Sequence, residues 1–100
     1  MRHYETLVIL SDLLEEEAAL ALFDDVKQLF VDNGGEIHDD GWWGKRKLHH
    51  LIHKRDHAWY AVLDYSATPE GVAETERRLK INDDIWRFKT VRPELRVHRA

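Results

Sequence analysis

The chain has no cysteine in its 100 residues. Disulfides and thiolate metal sites are excluded, and a reducing compartment suits the composition. It has only two prolines and five glycines, too few for a linker-rich or low-complexity polypeptide. The opening "MRHYETLVILSDLLEEE" holds no apolar run of membrane-spanning length, and acids follow it at once. It also lacks the charged start, long apolar core and small-residue cleavage site of a signal peptide, so a cytoplasmic location is expected. Catalytic signatures are missing too. Ser11 and Ser66 stand in no nucleophile motif, and there is neither a phosphate-binding glycine loop nor a paired-carboxylate motif. A binding module without a cofactor is expected, not an enzyme.

What is present is a globular balance: 43% hydrophobic and 34% charged residues, enough for one domain with a two-layer core. The net charge of −4 argues against indiscriminate binding to nucleic acid. The charge is segregated, however. Residues 1–44 carry Arg2 and Lys27 against eleven acids, a net −9, whereas residues 45–100 carry thirteen Lys and Arg against eight acids, a net +5. An electrostatic partner could use one region without being repelled by the whole.

Hydrophobic periodicity gives the order of elements. "HYETLVIL" (3–10) alternates with apolar residues on both faces, as in a central strand. Asp12 is placed to cap a following helix, with Glu15 three residues on. Ala19, Leu22, Phe23, Val26, Leu29 and Phe30 form that helix's apolar stripe, and "NGG" at 33–35 ends it. A long strand over 36–53 is expected to bend at Gly41 and Gly44. "KRD" is expected to turn the chain into a strand over 57–65, with Trp59, Ala61, Leu63 and Tyr65 on one face. Thr68 and Pro69 open a second helix running to about Ile81. "IWRFKTV" (85–91) is the last strand, and the basic tail over 93–100 is expected to be loose. The order β-α-β-β-α-β predicts an α+β domain over 1–92, ferredoxin-like: a four-stranded antiparallel sheet, both helices on one face, first and third strands central.

Three constellations stand out. Lys45, Arg46, Lys47, Lys54, Arg55, Arg87, Lys89 and Arg92 are candidate phosphate contacts, or charges that keep edge strands from pairing with other chains. Trp43, Trp59, Tyr60 and Trp86, with His50 beside the basic run, are candidate partner contacts, or packing residues. Trp42 and Trp43, being adjacent, are expected on opposite faces. His53 and His57 flank "KRD", so a three-residue loop would set them opposite each other as possible metal ligands. The competing reading is solvated histidines that add to the basic patch below about pH 6.5.

Four fragments in order carry a family resemblance: "MRHYETLVIL", "NGGEI", "WGKRKL" (43–48) and "INDDIWRF" (81–88). Together they resemble the bacterial small-subunit ribosomal protein numbered six over residues 1–92. The resemblance implies a non-catalytic protein with the fold just derived. It would bind small-subunit ribosomal RNA together with the small basic ribosomal protein eighteen. It also implies RNA contact at Arg2 and Arg87, which sit in matched motifs. The chain departs from the family pattern at His49, His50 and Leu51, at Ala58 where glycine is usual, and at Thr75 where leucine is usual. A diverged or engineered scaffold that keeps the fold, has lost RNA binding and self-associates through edge strands is the alternative.

Overall fold

The computed structural model describes residues 1–93. The expected loose tail falls on residues 94–100, outside the described residues, except for Pro93. The elements are β1 (Arg2–Ser11), α1 (Glu16–Asp32), β2 (Glu36–Ile52), β3 (Arg55–Ala67), α2 (Pro69–Leu79) and β4 (Ile85–Val91). All pairings are antiparallel, in the order β2-β3-β1-β4. β1 and β3 are therefore central, as the apolar character of both their faces requires.

Alternation decides what lies under the helices. Tyr4, Thr6, Val8 and Leu10 of β1 and Trp59, Ala61, Leu63, Tyr65 and Ala67 of β3 are buried. They meet Ala19, Phe23, Val26 and Phe30 of α1 and Val72 and Leu79 of α2. Phe30 packs on Tyr65 with ring centres 4.4 Å apart. Each of the large apolar side chains among these contributes roughly 1.5–3 kcal/mol on burial. Thr75 is fully buried where an apolar side chain would be expected; its hydroxyl donates to the carbonyl of Gly71 at 2.8 Å, so its polarity is satisfied within the helix.

The helix ends differ in how well local sequence anticipates them. Thr68 caps α2 by accepting from the Gly71 amide at 3.0 Å, with Pro69 in the first turn. α1 closes at Asn33 and Gly34, whose φ of +88° is the left-handed value a glycine tolerates. The start of α1 corrects the expectation. Its N-cap is Glu15, without a side-chain cap, and Asp12 lies in a preceding turn. There the Asp12 carboxylate takes two hydrogen bonds from Arg55, a charge-assisted pair that outcompetes a single amide.

β2 is irregular in three places. Its register against β3 shifts between Ile37 and Asp39, between Trp42 and Gly44, and between Lys47 and Ile52. Gly44 has φ +81° and marks a bulge as expected, whereas Gly41 pairs regularly with Val62. The hairpin turn falls on His53 and Lys54, with Ile52 opposite Arg55, not on "KRD". Both turn residues have positive φ, 53° and 65°, the two-residue geometry whose twist suits a hairpin.

Candidate nucleic-acid interface

The helices cover one face of the sheet and leave the other open. Strand registers arrange that open face in rows running from β2 across β3 and β1 to β4. Trp43 and Gly44 lead to Tyr60, Ile9 and Arg87; Gly41 leads to Val62, Leu7 and Lys89; Asp39 leads to Asp64, Glu5 and Val91. Beyond the aromatic row, Arg46 lies beside Ala58. The open face is thus apolar in the middle and acidic at one end. Arg46, Arg87 and Lys89 stand around its other side.

The adjacent tryptophans turn to opposite faces, as strand alternation predicts, with a bulge at Gly44 just beyond them. Trp42 turns to the helices, 5.7 Å from Trp59 and 6.0 Å from Phe23 between ring centres. Its indole N–H donates to Glu16 at 3.1 Å. Trp43 turns to the open face, 49% exposed, with its ring parallel to that of Tyr60 within 7° and their centres 6.4 Å apart. A methyl group on Gly41 would stand 3.6 Å from the Trp43 indole nitrogen and 3.1 Å from Val62. The tight neighbour is Val62, whereas the Trp43 edge is at ordinary contact distance over the glycine.

The acidic end forms a hollow of about 150 Å³ lined by Glu5, Asp39, Asp40, Gly41, Val62 and Asp64. His3 hydrogen-bonds to Asp64, and Lys27 reaches Asp40 and Asp24, each at 3.0 Å. The bond to Asp40 holds the Lys27 ammonium above the usual lysine range. The separate charge of each residue was legible in the sequence; their assembly across three strands required the register.

The expected RNA-binding cations do not form one patch. Lys45 and Lys47 lie on the helix side of β2, opposite Trp59 and His57, and the Lys45 ammonium stands 4.9 Å from the Trp59 ring centre. Lys54 is in the turn. Arg55 is held by Asp12, whose carboxylate keeps the guanidinium above its ordinary pKa. Arg2, opposite Ala67, is at the far end of the sheet from the turn. Arg92 follows β4 and is half-buried.

Two partner and metal expectations are corrected. Trp59 is buried, with its N–H donated to the Leu14 carbonyl at 2.9 Å; its parity on β3 assigns it to the core. His53 and His57 do not face each other. The turn carries His53 to Trp86, 5.4 Å between ring centres, while His57 pairs across the strands with Lys47 and contacts Asp56 at 2.8 Å. That contact holds the Asp56 carboxyl below its usual range. Among the described residues, no group of three or more potential ligands is placed to hold a metal ion. His50 is exposed near the end of β2, and Tyr60 and Trp86 are half-buried.

The family model described as "Ribosomal protein S6" matches residues 3–92. The chain belongs to the ribosomal protein S6 family. Small ribosomal subunit protein bS6 of Salinispora arenicola is 42% identical over 96 residues, covering 96% of this chain and 100% of that protein. The bS6 protein of Streptomyces coelicolor is 37% identical, covering 95% and 99%. The structure of 30S ribosomal protein S6 from Thermotoga maritima superposes with a TM-score of 0.87 at 25% identity, over 98% of both chains. The S6 family is structural and has no catalytic role. The superposition bears out the β-α-β-β-α-β, ferredoxin-like architecture expected from the sequence. Among the described residues, no helix is long and apolar enough to cross a membrane.

Proposed function

We propose that the chain binds small-subunit ribosomal RNA as a component of the ribosome, together with the small basic ribosomal protein eighteen. The observation that carries the reading is where cations stay without ion pairs. Lys27, Arg55, Arg77 and Arg78 all meet carboxylates. Among the described residues, Arg46, Lys47 and Lys54 on the hairpin and Arg87 and Lys89 on β4 make no ion pair, and all five are exposed. A protein rich in acids that leaves these cations without ion pairs keeps them for phosphate, with Arg46, Arg87 and Lys89 on the open face and Lys47 on the other. Counterion release supplies the affinity. The acidic end of the open face suits a basic protein, and His50 and Trp86 stay available for partner contact on the hairpin and β4.

The test is binding to a central-domain fragment of small-subunit RNA across a salt series, with and without the basic partner. Affinity should fall with salt and rise with the partner. Arg87→Ala and Lys89→Ala should each weaken binding and lower the salt slope by about 1. A well-folded monomer that fails to bind at low salt, with or without the partner, would overturn the reading.

A further inference from the structure

We infer that the parallel Trp43–Tyr60 pair on the open face is a stacking site for an unpaired RNA base, a site that rests on the RNA-binding reading above. The first support is the local backbone. Register slips between Trp42, paired with Ala61, and Gly44, paired with Tyr60, so Trp43 is the extra residue of a bulge and meets Tyr60 through its ring. Alternation from Trp42, which faces the helices, sends Trp43 to the other face, and the bulge leaves it without a regular cross-strand partner. A half-exposed indole thus lies on the uncovered face, parallel to a tyrosine. The indole edge lies over Gly41, where a Cβ would be in ordinary contact with it at 3.6 Å.

The second support is the charge around the rings. The Arg46 Nε donates to the Trp43 carbonyl at 3.1 Å, and its guanidinium carbon stands 6.0 Å from the indole centre. That cation is in reach of the phosphate of a nucleotide whose base lies on Trp43. Arg87 lies in the same row as Tyr60, and Lys89 in the next. Three strand spacings separate β2 from β4, roughly 14 Å, a distance spanned by a few nucleotides of extended RNA. The row Asp39, Asp64 and Glu5 repels phosphate and closes the other end. A single strand is therefore directed across the sheet from Arg46 toward Arg87 and Lys89, with a base on the aromatic pair. Bases of any identity have a π face, so the site recognises an unstacked nucleotide more than a sequence.

The pair also suits a protein anchor, and the experiment separates the two occupants. The probe is a short single-stranded RNA from the same central-domain junction with one 2-aminopurine at successive unpaired positions, titrated with the full chain at low salt. Stacking predicts strong quenching at one position, lost in Trp43→Ala and kept in Trp43→Phe. It also predicts affinity about 5- to 100-fold weaker in Trp43→Ala. An abasic nucleotide at that position should cost the wild type as much and Trp43→Ala almost nothing. Unquenched probe at every position, with salt-dependent binding intact and equal in wild type and Trp43→Ala, would overturn the stacking site and leave RNA binding standing. Loss of affinity for ribosomal protein eighteen alone in Trp43→Ala would also overturn it, assigning the rings to the partner. No RNA binding by the wild type would remove both readings together.

Discussion

Arg55 clamps Asp12 with two hydrogen bonds, Nε to Oδ1 at 3.0 Å and Nη2 to Oδ2 at 3.1 Å. The Asp12 side chain is only 6% exposed, so the tip of the β2–β3 hairpin, an arm closed by the turn at His53 and Lys54, is tied to the turn before α1. Residues 43 apart in sequence are joined in this way, which makes Arg55 a strut of the arm and not an open phosphate contact.

Removing the strut should loosen the arm. Arg55→Ala is expected to speed amide exchange over residues 49–58 while the α1 and β1 core amides stay protected. Arg55→Lys should recover little, since lysine cannot reproduce the two-pronged geometry. Unchanged exchange in Arg55→Ala would show that the arm is held by strand pairing alone.

The hairpin turn places two side chains where backbone sterics disfavour them. His53 and Lys54 have φ of 53° and 65°, and type I′ turns strongly favour glycine at the second position. Lys54→Gly is expected to raise stability by about 0.5–1 kcal/mol, after the entropy glycine adds to the unfolded chain is subtracted. Urea denaturation would show it as a higher midpoint at constant slope. If Lys54 contacts phosphate as proposed, the same variant should bind RNA less tightly, a trade of strain for contact.

A relay of hydroxyls crosses the core from β3 to α2. Tyr65 meets Thr6 at 2.8 Å, Thr6 meets Thr90 at 2.9 Å, and Thr90 donates to Glu76 at 2.7 Å. The Glu76 carboxylate can only accept, so each hydroxyl donates toward it and Tyr65 heads the relay. Burial pushes the Tyr65 phenol up to about 12, with the bond to Thr6 pulling the other way. The unfolded chain loses this proton near pH 10, before the folded chain does. Between about pH 10 and 12 the folded state holds more protons, so stability falls as pH rises. Chemical denaturation from pH 9 to 12 should show a shallower loss in Tyr65→Phe than in wild type. Parallel curves would place the ionisation elsewhere.

Local chemistry made most of the architecture legible. The α1 stripe, the Thr68 cap, the Asn33–Gly34 stop and the alternation in β1 and β3 depend on residues within a few positions of one another. The RNA-facing candidates were less legible because each was assigned from its type. Lys45 and Arg46 are neighbours in sequence and lie on opposite faces; Arg55 is basic and already occupied by Asp12. Trp59 reads by type as a candidate partner contact, and the burial of its face, shared with Ala61, Leu63 and Tyr65, makes it a core residue. The hollow around Asp39, Asp64 and Glu5 carries no sequence signal, since its members lie up to 59 positions apart.

By itself the sequence determined the element order, the layer arrangement and the family, because periodicity, caps and motif spacing are short-range properties that survive without a partner strand. Only the tertiary structure decided which face each basic or aromatic residue occupies. That choice depends on the phase of β2, and β2 changes phase at three register shifts. A one-residue slip sends a side chain to the other face of the sheet. Apart from the bulge that Gly44 signals, those slips are defined by how β2 pairs with β3, and that pairing exists only once the chain has folded.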